Sequence, residues 1–132
     1  MRIVLDTHTW VWWAAEDRRL SKRAATMIRR AAREGEILVS MISIWELAKK
    51  VEKQQLVFDR PLRQWLEHAS ALPGLRLTEL TTDILIDSCD LPQPFHGDPA
   101  DQIIAATARR HQATLVTKDR KLRDYAHVLT AW

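Results

Sequence analysis

Residues 2–6, RIVLD, place three apolar side chains in a row and then stop at an acid, and related short runs recur at 36–40, EILVS, and 114–117, TLVT. Working outward, Arg2 to Leu5 reads as a short buried strand that ends at Asp6, with a helix after it through Trp10 to Ala15. Leu20 to Arg33 carries Ala24, Met27, Ile28 and Ala31 at helical spacing, with Ser21 as cap and Gly35 as stop. Glu36 to Ser40 is the next strand. Ser43 and Glu46 then match the S-x-x-E capping box, which opens a helix running towards Gln54. Pro61 suits the first turn of a further helix with Leu62, Trp65, Leu66 and Ala69 on one face, ending near Pro73 and Gly74.

Leu75 to Leu80 is a third strand candidate. Thr82 to Cys89 reads as a helix with Leu85, Ile86 and Cys89 inward, and Pro92, Pro94 and Gly97 then interrupt regular structure. Asp98 and Pro99 open a strong helix over Asp101 to His111, whose apolar side is Ile103, Ile104, Ala105 and Ala108. Thr114 to Thr117 is a fourth strand, and a short segment after Asp119 leads to a last one around His127 to Thr130. Strands alternating with helices predict an α/β fold with a mainly parallel sheet covered on both faces. In such sheets the binding crevice lies beyond the carboxyl ends of the strands, near the point where strand order reverses.

The chain of 132 residues predicts one domain, residues 1–132, and its 46% hydrophobic and 28% charged content is that of a folded protein rather than a disordered one. Its single cysteine, Cys89, can form neither an internal disulfide nor a thiolate zinc site, so it is expected to be a small buried side chain. The opening MRIVLDTHTW has no long apolar run, which predicts no signal peptide, no membrane span and a cytoplasmic location. A formal charge of +3 favours an acidic or polyanionic partner. The cations crowd at Lys118, Arg120, Lys121 and Arg123 and again at Arg18, Arg19, Lys22 and Arg23, either of which is also a reasonable solvated helix end.

The acids carry more information. Asp6 ends the first strand, Glu46 lies just after the second, Asp101 opens the helix before the fourth, and Asp119 follows the fourth. The expected topology brings all four to one edge. Each has a structural role available to it: Asp6, Asp98 and Asp119 can cap helices, Asp101 complements a helix dipole, and Glu46 completes a capping box. Carboxylates gathered together repel and raise one another's pKa unless a cation neutralises them. Hard divalent ions with oxygen ligands do so, and magnesium (Mg2+) or manganese (Mn2+) suits a site without a His or Cys cluster. Such an ion can turn water into a nucleophile for a phosphodiester.

With those residues in view, the chain resembles the VapC-family PIN domains of type II toxin-antitoxin systems. The similarity rests on L-D-T-H at 5–8, V-S-x-x-S-x-W-E-L-A at 39–48, G-D-P-A-D-x-x-I-A-A-T-A at 97–108 and L-V-T-K-D-R-x-L at 115–122, in family order. The resemblance implies a three-layer α/β/α PIN-like domain and a metal-dependent endoribonuclease. It implies Asp6 and Asp101 as principal metal ligands, Glu46 and Asp119 as completing the acidic site, and Thr7 and Thr117 as supports behind them. Asp98 assists through water or only caps. Further implications are cleavage of transfer or ribosomal RNA by water, a homodimer, and inhibition by a VapB-like antitoxin lying across the groove, with the basic residues near 118–123 contacting RNA.

A non-catalytic PIN-like module that binds RNA or an antitoxin is the alternative, against which the complete acidic set argues. A phosphotransfer domain of the response-regulator type is disfavoured because Asp6 is followed by Thr7 and His8 rather than by another acid, and His8 likewise breaks a D-x-D phosphatase pattern. Trp10, Trp13, Trp45 and Trp65 are expected in the core or at a dimer contact. His8 and His96 are expected to be hydrogen-bonded neighbours of the acids rather than ligands.

Overall fold

Ile3, Val4 and Leu5 are wholly buried because both faces of their strand are covered. The computed structural model describes every residue from Met1 to Trp132. Strands β1 (Arg2–Leu5), β2 (Glu36–Ser40), β3 (Leu75–Thr78), β4 (Thr114–Val116) and β5 (Thr130–Ala131) form one sheet in the order β3-β2-β1-β4-β5. Every neighbouring pair is parallel, which completes the expected α/β arrangement. Side chains alternate along each strand. Ile3, Leu5, Ile37, Val39 and Val116 therefore enter one core layer, and Val4, Leu38 and Leu115 enter the other.

Seven helices cover the two faces: α1 (Thr7–Ala14), α2 (Lys22–Glu34), α3 (Ile42–Glu52), α4 (Leu62–Ser70), α5 (Thr82–Ser88), α6 (Pro99–Arg110) and α7 (Arg120–Arg123). Trp10 of α1, Ala24, Ile28 and Ala31 of α2, Leu47 of α3 and Trp65 and Ala69 of α4 pack into the first layer. Ile84 of α5, Ile104, Ala105 and Ala108 of α6 and Leu122 of α7 fill the second. The indole of Trp10 packs edge-on to Trp65 and donates its N–H to the Ala69 carbonyl at 3.1 Å, which ties α1 to α4. Trp45, by contrast, is 55% exposed and belongs to neither layer.

Several expectations need correction. Ser43 and Glu46 do not form a capping box: α3 starts at Ile42 with Met41 as its cap residue, and no side chain caps it. The first free N–H, that of Ile42, is instead taken by Ser40 Oγ at 3.2 Å, so Ser43 and Glu46 are free to turn towards β1. Helix α5 is rotated from the expected face. Ile84 and Ser88 point inward, one turn apart, whereas Leu85, Ile86 and Cys89 are exposed. The rotation follows from polar contacts: Gln102 of α6 donates to the Ser88 carbonyl at 3.1 Å, while Ser88 Oγ donates to Leu85 O at 2.6 Å. The last strand is Thr130–Ala131 rather than 127–130, and β3 ends at Thr78 rather than Leu80.

Gly74 sets the turn into β3. Its φ is +81°, and an added Cβ would lie 2.8 Å from Ala32 Cα in α2. Both features penalise a side chain there, one through backbone strain and one through contact with an immovable helix. Gly74→Ala is expected to lower stability by roughly 1–3 kcal/mol, read as a shift of the urea midpoint without a change of slope.

Candidate active site

Strand order reverses at β1, whose neighbours are β2 on one side and β4 on the other, so the crossovers leaving β1 and β4 diverge and open a crevice. Asp6 stands at the end of β1 on this crevice and is 4% exposed. Its backbone N–H donates to Val116 O at 3.1 Å, locking the ends of β1 and β4 together. Its Oδ1 accepts the Thr7 N–H at 2.8 Å and caps α1; its Oδ2 accepts the Thr117 hydroxyl at 2.7 Å. Thr117 in turn accepts the Asp119 N–H at 3.0 Å, which fixes the turn after β4. Asp119 caps α7 through one oxygen, Oδ1, which accepts the Lys121 N–H at 2.9 Å.

Glu46 reaches the same edge from α3. Thr7 Oγ1 lies 2.5 Å from Glu46 Oε1 and 2.8 Å from the buried Ser43 Oγ. The one Thr7 hydroxyl proton thus faces two acceptors, Glu46 Oε1 and Ser43 Oγ. Asp101, in the first turn of α6, is held by His96 Nε2 at 2.7 Å from Oδ2. Asp98 caps that helix, its Oδ1 accepting the Asp101 N–H at 2.9 Å. His8 sits over Asp6, with Nδ1 3.5 Å from Oδ2, while its Nε2 accepts the Lys118 N–H at 3.0 Å. That bond fixes the tautomer, leaving the Nδ1 proton directed at Asp6.

The electrostatics show that these groups feel one another. Burial pushes Glu46 up to about 7, the bond from Thr7 and the charge of Lys50 opposing and the charges of Asp6 and Asp101 reinforcing. Burial likewise raises Asp101 to about 6, the His96 contact opposing and the charges of Asp6, Asp98 and Asp119 reinforcing. Burial lowers the pKa of His8, although Asp6 and Asp119 favour its charged form. No Lys or Arg forms an ion pair with Asp6, Glu46, Asp101 or Asp119. The donors offered to a cation are thus hard carboxylate oxygens in surplus. No three acid, His or Cys side chains stand close enough together to hold a metal ion between them. A magnesium-type ion fits this arrangement, because it retains several waters and takes only one or two carboxylates directly.

The structure therefore brings Asp6, Thr7, Glu46, Asp98, Asp101, Thr117 and Asp119 to a common edge. Sequence reasoning missed Ser43 as the second partner of Thr7 and Ser40 as the acceptor at the start of α3, and it missed the aromatic pair Trp12 and Trp132. Their ring centroids are 5.8 Å apart, and they lie 4.9 and 6.0 Å from His8. Ser43 was visible inside the S-x-W-E stretch, but the capping reading absorbed it; Trp12 and Trp132 carry no local signal because they meet only in the fold.

An all-parallel α/β/α sheet with an acidic cluster at its switch point defines a doubly wound class of proteins, and comparison with known proteins narrows it. The PIN domain family model matches residues 3–128. Ribonuclease VapC22 of Mycobacterium tuberculosis is 38% identical over 98% of this chain and 98% of its own length. Among solved structures, VapBC2 of Rickettsia felis bound to a promoter DNA fragment superposes with a TM-score of 0.69 at 19% identity, covering 99% of this chain and 98% of that one. A toxin-antitoxin complex from Klebsiella pneumoniae gives 0.66 at 23% identity, with 98% of both chains covered. The chain belongs to the PIN-domain family, in its VapC branch.

A raised carboxyl pKa binds extra protons in the folded state, so it stabilises at low pH and that contribution is lost as pH rises through the folded value. His8 and His111, both lowered by burial, act oppositely, up to about a pH unit above their ordinary value of 6.5. Between pH 6.5 and 8 Glu46, with a folded value of about 7 against an ordinary 4.5, lowers stability as pH rises, and Asp101 at about 6 adds at the low end, so the Glu46 part is read as the difference from Glu46→Gln. In chelator the wild-type melting temperature is expected to fall relative to that of Glu46→Gln across this window. A difference between the two profiles that stays level or reverses there would contradict the assigned burial and crowding of Glu46.

Proposed function

We propose that this chain, acting as one unit over residues 1–132, is a metal-dependent endoribonuclease and the toxin half of a VapBC-like pair. The observation that carries the reading is the surplus of carboxylate oxygen at the switch point, without a cationic partner of the protein's own. Asp6 and Asp101 would hold magnesium or manganese, with Glu46 and Asp119 completing the acidic rim. Such an ion supplies the charge that shields a phosphodiester and makes water nucleophilic near neutral pH. The chain's own residues orient and tune that site. Thr117 donates to Asp6 and so keeps that carboxylate aimed; Thr7 does the same for Glu46; His96 holds Asp101.

Glu46, with a pKa pushed to about 7, is suited to move a proton near neutral pH, as a general base towards the attacking water. Lys118, Arg120, Lys121 and Arg123 flank the last acid and supply cations for phosphate contacts with RNA of the transfer or ribosomal class. The VapC relationship and the toxin-antitoxin assemblies among the structural neighbours support a VapB-like antitoxin as partner. The exposed Trp45, Leu85 and Ile86, at 55, 41 and 61%, support apolar protein contact, which we assign to a homodimer. No helix is long and apolar enough to cross a membrane.

Purified protein is expected to cut RNA with magnesium or manganese and to lose this on Asp6→Asn or Asp101→Asn. Asparagine caps a helix about as well as aspartate, so the Asp6 variant stays folded, as a melting curve would verify. Equal cleavage by those variants would eliminate the assignment in favour of a non-catalytic module. Thr117→Val leaves Asp6 without its hydroxyl donor and is expected to reduce cleavage about 10–100-fold, the usual cost of removing an orienting group behind a metal ligand.

A further inference from the structure

The basic run from Lys118 to Arg123 does not form one patch. The Lys118 ammonium lies 5.7 Å from the centroid of the Trp12 ring, beside Arg19 at 4.9 Å. Lys121 lines a different depression with Phe95, His96 and Tyr125. Arg120 and Arg123 instead meet Arg23, which comes from the first turn of α2 nearly a hundred positions away in the chain. The three guanidinium groups line a single open concavity of about 250 Å³ with Asp124, Thr130 and Trp132. Both clusters that a linear reading leaves as solvated helix ends thus contribute to one place.

None of the three arginine side chains has an ion pair or a hydrogen bond, and Asp124 is the one acidic side chain in the lining. Arg23 also stands at the positive end of α2, where an acid would be favoured and none is present. Guanidinium groups are planar forks whose donors match phosphate oxygens. A protein anchor would want apolar walls. Here only Ala131 and Trp132 are apolar, so the lining favours a phosphate. Trp132 also joins the concavity to the acids: its ring lies 6.0 Å from His8, whose Nδ1 is 3.5 Å from Asp6.

We propose that Arg23, Arg120 and Arg123 form a phosphate subsite that grips the RNA strand at a phosphodiester away from the one being cut. The inference rests on the ribonuclease reading and deepens it: the subsite sets where along a strand the acids fall. Its cargo is a backbone phosphate, so it holds RNA irrespective of base identity.

The test measures binding of a short fluorescein-labelled single-stranded RNA to the full chain, in chelator so that nothing is cut, over a range of salt. The double variant Arg23→Gln/Arg123→Gln is expected to bind roughly tenfold more weakly at low salt and to flatten the salt dependence by about 0.7 for each phosphate no longer held. Arg33→Gln/Arg63→Gln removes the same charge outside the concavity and should stay within about twofold. Melting temperatures verify that both pairs fold. If the two pairs weaken RNA binding equally, or neither does, the subsite is refuted. Retained RNA binding together with loss of a bound protein partner would refute it too, in favour of a protein contact. Should the subsite fail while wild-type protein still cuts RNA in an Asp6-dependent way, the ribonuclease reading stands; if wild type neither binds nor cuts, both fall.

Discussion

Repulsion among carboxylates at the carboxyl edge of the sheet is the constraint on which the site depends. Glu46 and Asp101 come from helices on different strands' crossovers, yet Asp101 raises the pKa of Glu46, and Asp6 raises both. Left to itself such a cluster would spread apart or protonate. The fold prevents spreading by fastening the ends of β1 and β4 to each other, through the Asp6 N–H to Val116 and the Thr9 hydroxyl to the same carbonyl at 2.9 Å. The cost is borne by a core packed on both sides of the sheet.

Hydroxyl groups, more than cations, keep the acids in place. Thr7, Ser43 and Thr117 are all buried and all bonded within this cluster. A lysine or arginine would neutralise the acids and compete with an incoming ion. A threonine orients a carboxylate while leaving its charge intact, and its methyl group can pack against the core. No buried side-chain polar atom is left without a partner, so the network is closed at its base and open only at its acidic rim.

Much of this was legible in the residues alone. β1 and β2 fall at their expected positions because runs such as RIVL and EILVS have only one way to be buried in a covered parallel sheet. The four acids were found because each sits at the junction of an element with the same edge, a property of order along the chain. What could not be read is anything decided by rotation or by distant pairing. Helix α5 carries apolar side chains on more than one stripe, and only the contact of Ser88 with Gln102 selects the stripe that faces inward. The capping box failed for a related reason: S-x-x-E is a local pattern, and Thr7, thirty-nine positions from Glu46, took the carboxylate instead. Arg23 joined Arg120 and Arg123 through tertiary packing that no spacing announces.

Capping does not use up an aspartate, and the atoms show how much of each carboxylate it leaves free. Asp6 caps α1 with Oδ1 and is oriented by Thr117 through Oδ2; Asp119 caps α7 with Oδ1 alone. A carboxylate has more lone pairs than a cap consumes. The cap fixes the side-chain rotamer against a rigid helix end, and the spare acceptor capacity then points in a determined direction. Placing the acids at helix starts thus gives the site its geometry from secondary structure, before any cation is present. Asp98 marks the limit of the scheme. It sits one turn outside Asp101 and spends its Oδ1 on that residue's N–H, so it steadies the acid beside it and adds to its negative field.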